Sequence, residues 1–385
     1  MANILEQYHA FLDEKEINNI QDLIFELICE QHLIIPIEDE KYPELLMLCV
    51  SEDTDLDIEI NHIFNGLIIN KNNIREIVCY SGKYIDFITE DNVSSILNLN
   101  LKGFKFFESN DGISIRLFFH NNKWIVSTDN MIDSSNEYSY ADHPLTIKIL
   151  FESCCTDMNF NYQQLDKKYI YVFGIYHSLN RNVIKHRRNE LIHIKTYLRN
   201  TFDEVNVNLN LPKVQELKFN NLFNLLETYE KSEWTMPGFI IENLENKKLY
   251  KMLTPKFLYV LLLKTIDDDK IIKYLKLKAD DLLEEYLRYF DEDKNTFDLF
   301  MIMLDSYADY FYKSYIELKI YKIEKPLDKY IKYEMDIIYK IHGIYLRTQD
   351  NTSLDTVKMV LKFYNPLKLK ELLTNRDIYE DIIWN

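Results

Sequence analysis

The hydrophobic period changes twice along this chain, and that change limits its architecture more than any single motif does. Over residues 4–35 the apolar positions recur at helical spacing, first Leu5, Tyr8, Phe11 and Leu12, then Ile20, Leu23, Ile24, Leu27 and Ile28. Pro36 and Pro43 interrupt that pattern. From about residue 62 the texture becomes short β-branched and aromatic runs divided by Asn, Gly and Asp: HIFNGLIIN, IREIVCY, FKFFES, ISIRLFFH and KWIVST. Asn121-Asn122 between the last two predicts a two-residue hairpin turn. Further strand-like runs lie in 169–200 and 238–253. After Pro255 the helical period returns, with Leu299, Phe300, Met303, Leu304 and Tyr307 in step and further stretches around 328–346, 354–364 and 366–374. The expectation is an α+β protein with an antiparallel β-rich core, an N-terminal helical segment and an all-α C-terminal domain, divided as 1–60, 61–255 and 256–385.

Charge follows these divisions. The chain carries 45 Lys+Arg against 62 Asp+Glu, a net of −17. Residues 1–60 hold 16 of the acidic side chains and only Lys15 and Lys41 as bases, so the overall acidity describes mainly that segment. An acidic surface repels phosphate over about a Debye length, ~8 Å at physiological salt, which leaves the near-neutral middle able to bind RNA. Arg181, Lys185, His186, Arg187, Arg188, Lys195 and Arg199 form its densest basic stretch: phosphate contacts, or a solvated turn balancing acidic neighbours. The acidic segment either docks on a basic partner or presents a solvated helical face. The N-terminal MANILEQYHAFLDEKE is charged where a signal peptide is apolar, and no apolar run approaches the ~20 residues of a membrane helix. These features predict a cytoplasmic protein with no membrane partner. The Ile-, Asn- and Lys-rich composition fits a viral origin, in which case the host cytoplasm or the virion would hold it.

Cysteines 29, 49, 79, 154 and 155 show no CxxC pair and no metal-ligand spacing, so reduced thiols and no metal are expected. Cys154-Cys155 reads as a buried pair. His177, His186 and His193 recur in one β-rich region without a Cys or carboxylate at ligand spacing. Phosphate loops, dinucleotide-binding glycines, HExxH and GxSxG are absent. Tyr307, Tyr310, Phe311 and Tyr315 keep helical spacing and read as core.

Phe107-Glu108-Ser109-Asn110-Asp111-Gly112 followed by ISIRLFFHNNKWIVST resembles the nucleophile motif of phage-type ATP-dependent RNA ligases, in the covalent nucleotidyltransferase superfamily. There Glu-Lys-x-Asp-Gly leads into a hairpin ending Trp-x-x-x-Thr. Three further blocks fit in order: Asn65–Ile69 with Glu76–Cys79; Tyr169–Phe173 with Asn180-Arg181-Asn182-Val183; and Gly238–Ile241 with Lys251 and Thr254-Pro255. The resemblance covers roughly residues 60–260. It implies a nucleotidyltransferase core in which Glu108, Asp111, Gly112 and Lys251 are vestigial nucleotide-binding positions, and Arg181, Lys185, Arg187 and Arg188 face RNA. Bland roles stand beside these: a turn requiring Gly112, a strand end capped by Glu108, an exposed Lys251.

The departures fall on the chemical positions. The family's nucleophilic lysine corresponds to Ser109, its glutamates to Gly174 and Pro237, the second of its paired lysines to Leu253, and its Arg-Gly after the hairpin to Asp129-Asn130. A serine hydroxyl cannot form the lysine phosphoramidate that stores AMP. Without the second lysine and the two glutamates, charge on the phosphates goes unneutralised and Mg²⁺ has few hard oxygen ligands. Lys105, four residues before Ser109, stands about 13 Å away along a strand; Lys102 and Lys123 are less well placed. The resemblance therefore implies a catalytically inactive relative that binds RNA or a protein partner as a scaffold and needs no cofactor. The alternatives are an active ligase using ATP, Mg²⁺ and a relocated lysine, and a purely structural virion or complex component.

Overall fold

The structure, a computed structural model, describes residues 4–29, 32–80, 82–97, 101–138, 145–323 and 333–374. Its contacts divide the chain into two units, Met1–Leu258 and Tyr259–Asn385.

The first unit opens with two amphipathic helices, α1 (Ile4–Glu14) and α2 (Ile20–Ile28), the second capped by the Asn19 side chain on the Asp22 amide at 3.0 Å. The segment to residue 60 then departs from the helical expectation. β1 (Ile35–Glu38) and β2 (Leu45–Cys49) are strands, and with β3 (Leu67–Asn70) and β4 (Asn73–Cys79) they form one antiparallel sheet in chain order. The cause is burial on both faces: every residue of LLMLC is buried, so the run shows no period to read. The acidic segment is thus continuous with the core rather than an arm. HIFNGLIIN likewise divides, Glu59–Phe64 forming a 3-10 turn ahead of β3.

β5 (Ile85–Phe87), α3 (Glu90–Leu97) and β6 (Phe104–Glu108) follow, then the hairpin β7 (Ile113–His120) and β8 (Lys123–Ser127). Asn121 and Asn122 close it with φ of 45° and 60°, the left-handed pair that a two-residue turn requires, and His120 pairs with Lys123. After α4 (Ile147–Asp157) come β9 (Tyr169–Tyr176), β10 (Glu190–Leu198), β11 (Glu216–Leu217), α5 (Leu222–Lys231), β12 (Gly238–Asn243) and β13 (Leu249–Leu253). They complete two more sheets, β10-β9-β7-β8 and β11-β6-β12-β13-β5, antiparallel except for β13 beside β5.

Side-chain alternation sorts these layers. In the β7–β10 sheet, Ile115, Leu117, Tyr171, Phe173 and Ile175 face α4, with buried Cys154 and Cys155 in that core. Phe118, Ile170 and Val172 face the other way, onto the sheet of β1–β4 and helices α1 and α2. In the β6–β12–β13 sheet, Phe106, Phe239, Ile241 and Met252 pack with α3 and α5. The opposite face carries Lys105, Phe107, Ser109, Ile240, Glu242, Lys251 and Leu253 by register.

One polar side chain interrupts the apolar layer between the first two sheets. Arg116 on β7 is 1% exposed and donates to the carbonyls of Gly66 and Thr128 and, at 3.0 Å, to Ser127 Oγ. Gly66 (φ 70°) is required twice over: a Cβ there would stand 2.7 Å from the Arg116 guanidinium. Burial pushes the carboxyls of Asp129 and Glu137 up, and the Arg116 charge offsets part of that.

The second unit contains most of α6 (Pro255–Lys264), then α7 (Lys270–Ala279), α8 (Leu283–Tyr289), α9 (Lys294–Tyr315), α10 (Glu334–Thr348), α11 (Leu354–Lys362) and α12 (Pro366–Thr374). The first residues of the helical stretch read at 328–346 lie outside the described residues. Its centre is aromatic: Tyr274, Tyr286, Phe290 and Phe297 meet tilted or stacked. Tyr307, Phe311 and Tyr315 are buried, and the Tyr307 hydroxyl donates to the Leu372 carbonyl at 2.7 Å. Among the described residues no helix is long and apolar enough to cross a membrane.

Replacing Arg116 with Leu strips the guanidinium donors from two carbonyls and leaves two half-buried carboxyls without their cation. Urea unfolding of Arg116→Leu is expected to show a loss of about 3–5 kcal/mol; a loss under 1 kcal/mol would show that the sheets hold together without it.

Candidate functional site

Ser109 stands just beyond β6, its amide donating to the Gly238 carbonyl at 2.8 Å, so the β6–β12 pairing continues through it. Register places Ser109, Lys251 and Leu253 on the face opposite the α3–α5 core. Ser109 is 2% exposed and its Oγ has no hydrogen-bond partner. It therefore has neither a base nor access to solvent.

Asp111, two residues on, is buried, and both its oxygens are engaged. Oδ1 accepts from Asn182 Nδ2 at 2.7 Å, and Oδ2 accepts from the amides of Val183 and Ile184 at 3.0 and 2.7 Å. A carboxylate held this way is a clamp on the 180–188 loop. Arg181 is half-buried with its Nε on the Val183 carbonyl at 2.9 Å; Lys185, Arg187 and Arg188 are exposed.

Gly112 is not a left-handed turn residue. It is needed for closeness, since a Cβ would meet the Ile175 carbonyl at 2.4 Å and the Tyr176 ring at 2.6 Å. Glu108 faces the opposite side of the sheet from Ser109, paired across from Phe239, and its charge helps hold the Tyr176 phenol up at about 12, behind the larger effect of burial. Lys251 is half-buried rather than exposed. Burial pushes its amine below the usual lysine range, Asp111 pulls the other way, and the ammonium lies 5.7 Å from the Phe87 ring.

Among the remaining positions, Pro237 is buried with its carbonyl accepting from Thr254, and Gly238 (φ 143°) lets β12 approach β13. Leu253 adds only hydrocarbon. At Gly174 the space for a side chain is filled: a Cβ would stand 2.0 Å from Asn110 Nδ2, whose amide oxygen takes the Gly112 N–H at 2.7 Å. Lys105 is exposed and sits across from Glu242.

Sequence reasoning gave no role to Asn110 or Tyr176, and read His186 only as one of the basic stretch and of three scattered histidines, with no stacking partner. Tyr176 and His186 stack, rings 4.3 Å apart and 14° from parallel, with His186 Nε2 buried and unpartnered and its imidazole pushed below the usual range by burial. Only the i+10 juxtaposition across the loop brings them together, and no local pattern announces it.

The three histidines do not converge. His177 meets Ser153 Oγ at 3.2 Å, His186 meets Tyr176, and His193 meets Thr196 Oγ1 at 2.7 Å. Burial pushes the thiols of Cys154 and Cys155 up to about 12, leaving them inert at neutral pH.

Burial, helped by Lys213, pushes His193 down to about 4. The unfolded chain takes up this proton near pH 6.5, the folded one only near 4, so the stability is whole above 6.5 and falls between the two. The expected loss approaches about 3 kcal/mol. Comparing wild type with His193→Gln by urea unfolding at pH 7.5 and 4.5 checks this, since the variant should lack that part of the slope. For the clamp, a hydrogen bond to a charged group is worth about 1.5–3 kcal/mol. Asp111→Ala should therefore raise tryptic cleavage after Arg187 and Arg188 by roughly tenfold or more; unchanged cleavage would mean the loop is held elsewhere.

No family model and no curated protein matches this chain. Solved structures do. An RNA ligase of Naegleria gruberi with pyrophosphate aligns with 46% of the chain at 13% identity and TM-score 0.34, the match spanning 57% of that ligase. A variant of the same ligase with ATP and manganese gives 9% and 0.34 over 46% of this chain and 56% of the other. A putative ATP-dependent DNA ligase from Aquifex aeolicus aligns with 86% of this chain and 81% of its own at 12% identity and TM-score 0.39. These are distant backbone likenesses, and the chemical residues of this chain stand on their own geometry.

Proposed function

We propose that this chain is an RNA-ligase-like protein without nucleotidyl-transfer activity, which holds RNA through the 180–188 loop as a scaffold within a larger assembly. One observation carries the reading: the hydroxyl at the nucleophile position, Ser109 Oγ, is buried and hydrogen-bonded to nothing. Attack on a phosphate needs an activated, accessible nucleophile, and this position offers neither. Asn110 in the space beside Gly174 and Asp111 engaged by the loop agree with it, because neither position offers a free carboxylate to a metal. The clamp meanwhile presents Arg187 and Arg188 at the surface with no ion pair among the described residues.

A second reading rests on Lys251. An amine kept below its usual pKa by burial is what a lysine nucleophile requires. In that case ATP and Mg²⁺ are cofactors and the chain is an active ligase with its nucleophile on β13.

Purified protein with α-labelled ATP and Mg²⁺ or Mn²⁺, examined by denaturing electrophoresis and intact mass, is expected to gain no AMP. An adduct abolished by Lys251→Met would establish the second reading. Binding of labelled single-stranded RNA is expected to weaken with salt. Arg187→Ala with Arg188→Ala should weaken it similarly across sequences and flatten the log–log salt slope by about 0.7 per lost contact. Wild-type protein that binds no RNA at low salt overturns the RNA part and leaves a protein partner as the scaffold's occupant.

A further inference from the structure

A group of metal-type donors converges far from the Ser109 face. Glu26 lies in the last turn of α2, Cys29 caps that helix, and His32 follows as the chain turns back, its amide donating to the Cys29 carbonyl at 3.0 Å. The spacing is Glu-x2-Cys-x2-His, and one ligand atom from each residue lies within 4.8 Å of the other two.

The state of His32 singles this group out from an ordinary surface cluster. The residue is 2% exposed, and its Nδ1 is 2.6 Å from Asn61 Oδ1. Asn61 Nδ2 donates to the Asp55 carbonyl at 2.7 Å, which fixes the amide's orientation and makes Oδ1 the acceptor. His32 Nδ1 therefore carries a proton, and in the neutral ring Nε2 presents a lone pair. That Nε2 is buried and has no hydrogen-bond partner; the Glu26 carboxylate faces it at 3.7 Å, beyond hydrogen-bond reach. The lone pair and the carboxylate face one another across a gap that a metal cation would bridge. The orienting bond on the far ring nitrogen is the arrangement that metal-binding histidines use.

We propose that Glu26, Cys29 and His32 bind one zinc ion, with water completing the tetrahedron. The donor set fits a borderline-soft divalent ion: thiolate, imidazole and carboxylate all suit Zn²⁺, whereas Mg²⁺ and Ca²⁺ take oxygen donors. Zinc bonds of about 2.0–2.3 Å place tetrahedral donors about 3.5 Å apart, so the three groups draw in by roughly 1 Å. Lys15 Nζ sits 2.6 Å from Glu26 Oε1, and its side chain is 38% exposed, so it has room to move into solvent and yield the carboxylate to the ion. The ion ties the end of α2, through His32 and Asn61, to the 3-10 turn that leads into β3.

The test uses the full chain freed of metal by chelator dialysis and titrated with Co²⁺, whose thiolate charge-transfer absorption reports a Cys–metal bond. One equivalent of Co²⁺ should produce the band, Zn²⁺ should abolish it, and Zn²⁺ but not Mg²⁺ should raise the thermal midpoint. Cys29→Ser, at a partly exposed position, should lose the band while remaining folded, and His32→Gln should bind Co²⁺ at least about tenfold more weakly. Absence of a band in the wild type overturns the proposal, leaving Glu26 to its ion pair with Lys15. A band that persists in Cys29→Ser overturns it too, by placing the metal on another cysteine.

Discussion

The guanidinium of Arg116 is the constraint on which the first unit depends. A charge in an apolar layer is tolerated only where its donors are met, and here they are met by backbone carbonyls of two separate sheets: Gly66 ahead of β3, and Thr128 after β8. That requirement fixes the approach of the sheets to each other. It also explains why residue 66 has no side chain and why two carboxyls, Asp129 and Glu137, are accepted nearby. The helices of the acidic segment pack on the outside of this joint, which is why their charge stays on the surface while Leu23 and Leu27 enter the core.

The same logic governs Asp111. The carboxylate is buried, so it must be matched, and it is matched by the loop that carries the exposed arginines. At position 111 the protein grips itself. Lys251 keeps a chemical character of its own because the sheet buries its amine without giving it a carboxylate at hydrogen-bond distance among the described residues.

Much of the fold was legible because period and turn chemistry are local. Asn121-Asn122 specifies its hairpin from two residues, and the runs at 169–176, 190–198, 238–243 and 249–253 have the β-branched and aromatic content that strands select. LLMLC was not legible, because a strand buried on both faces shows no alternation. At the site, positions were legible but occupancy was not. Nothing near Gly174 reveals that Asn110 fills its space, nothing near Gly112 reveals Tyr176, and the carboxylate at 111 is separated from its partners by 71–73 residues. Glu26, Cys29 and His32 are close in sequence, yet their meaning depends on Asn61, 29 residues beyond His32.

The contact between Asn110 and Gly174 also constrains how this chain can change over generations. Any side chain arriving at 174 meets the Asn110 amide within 2.0 Å of its own Cβ, and that amide is itself tied to the Gly112 backbone. A carboxylate at 174 is therefore reached only after 110 has been remodelled, and remodelling 110 alone opens a hole in the sheet. The two positions are locked as a pair: drift at either is filtered by the other, and any side chain at 174 calls for a different residue at 110.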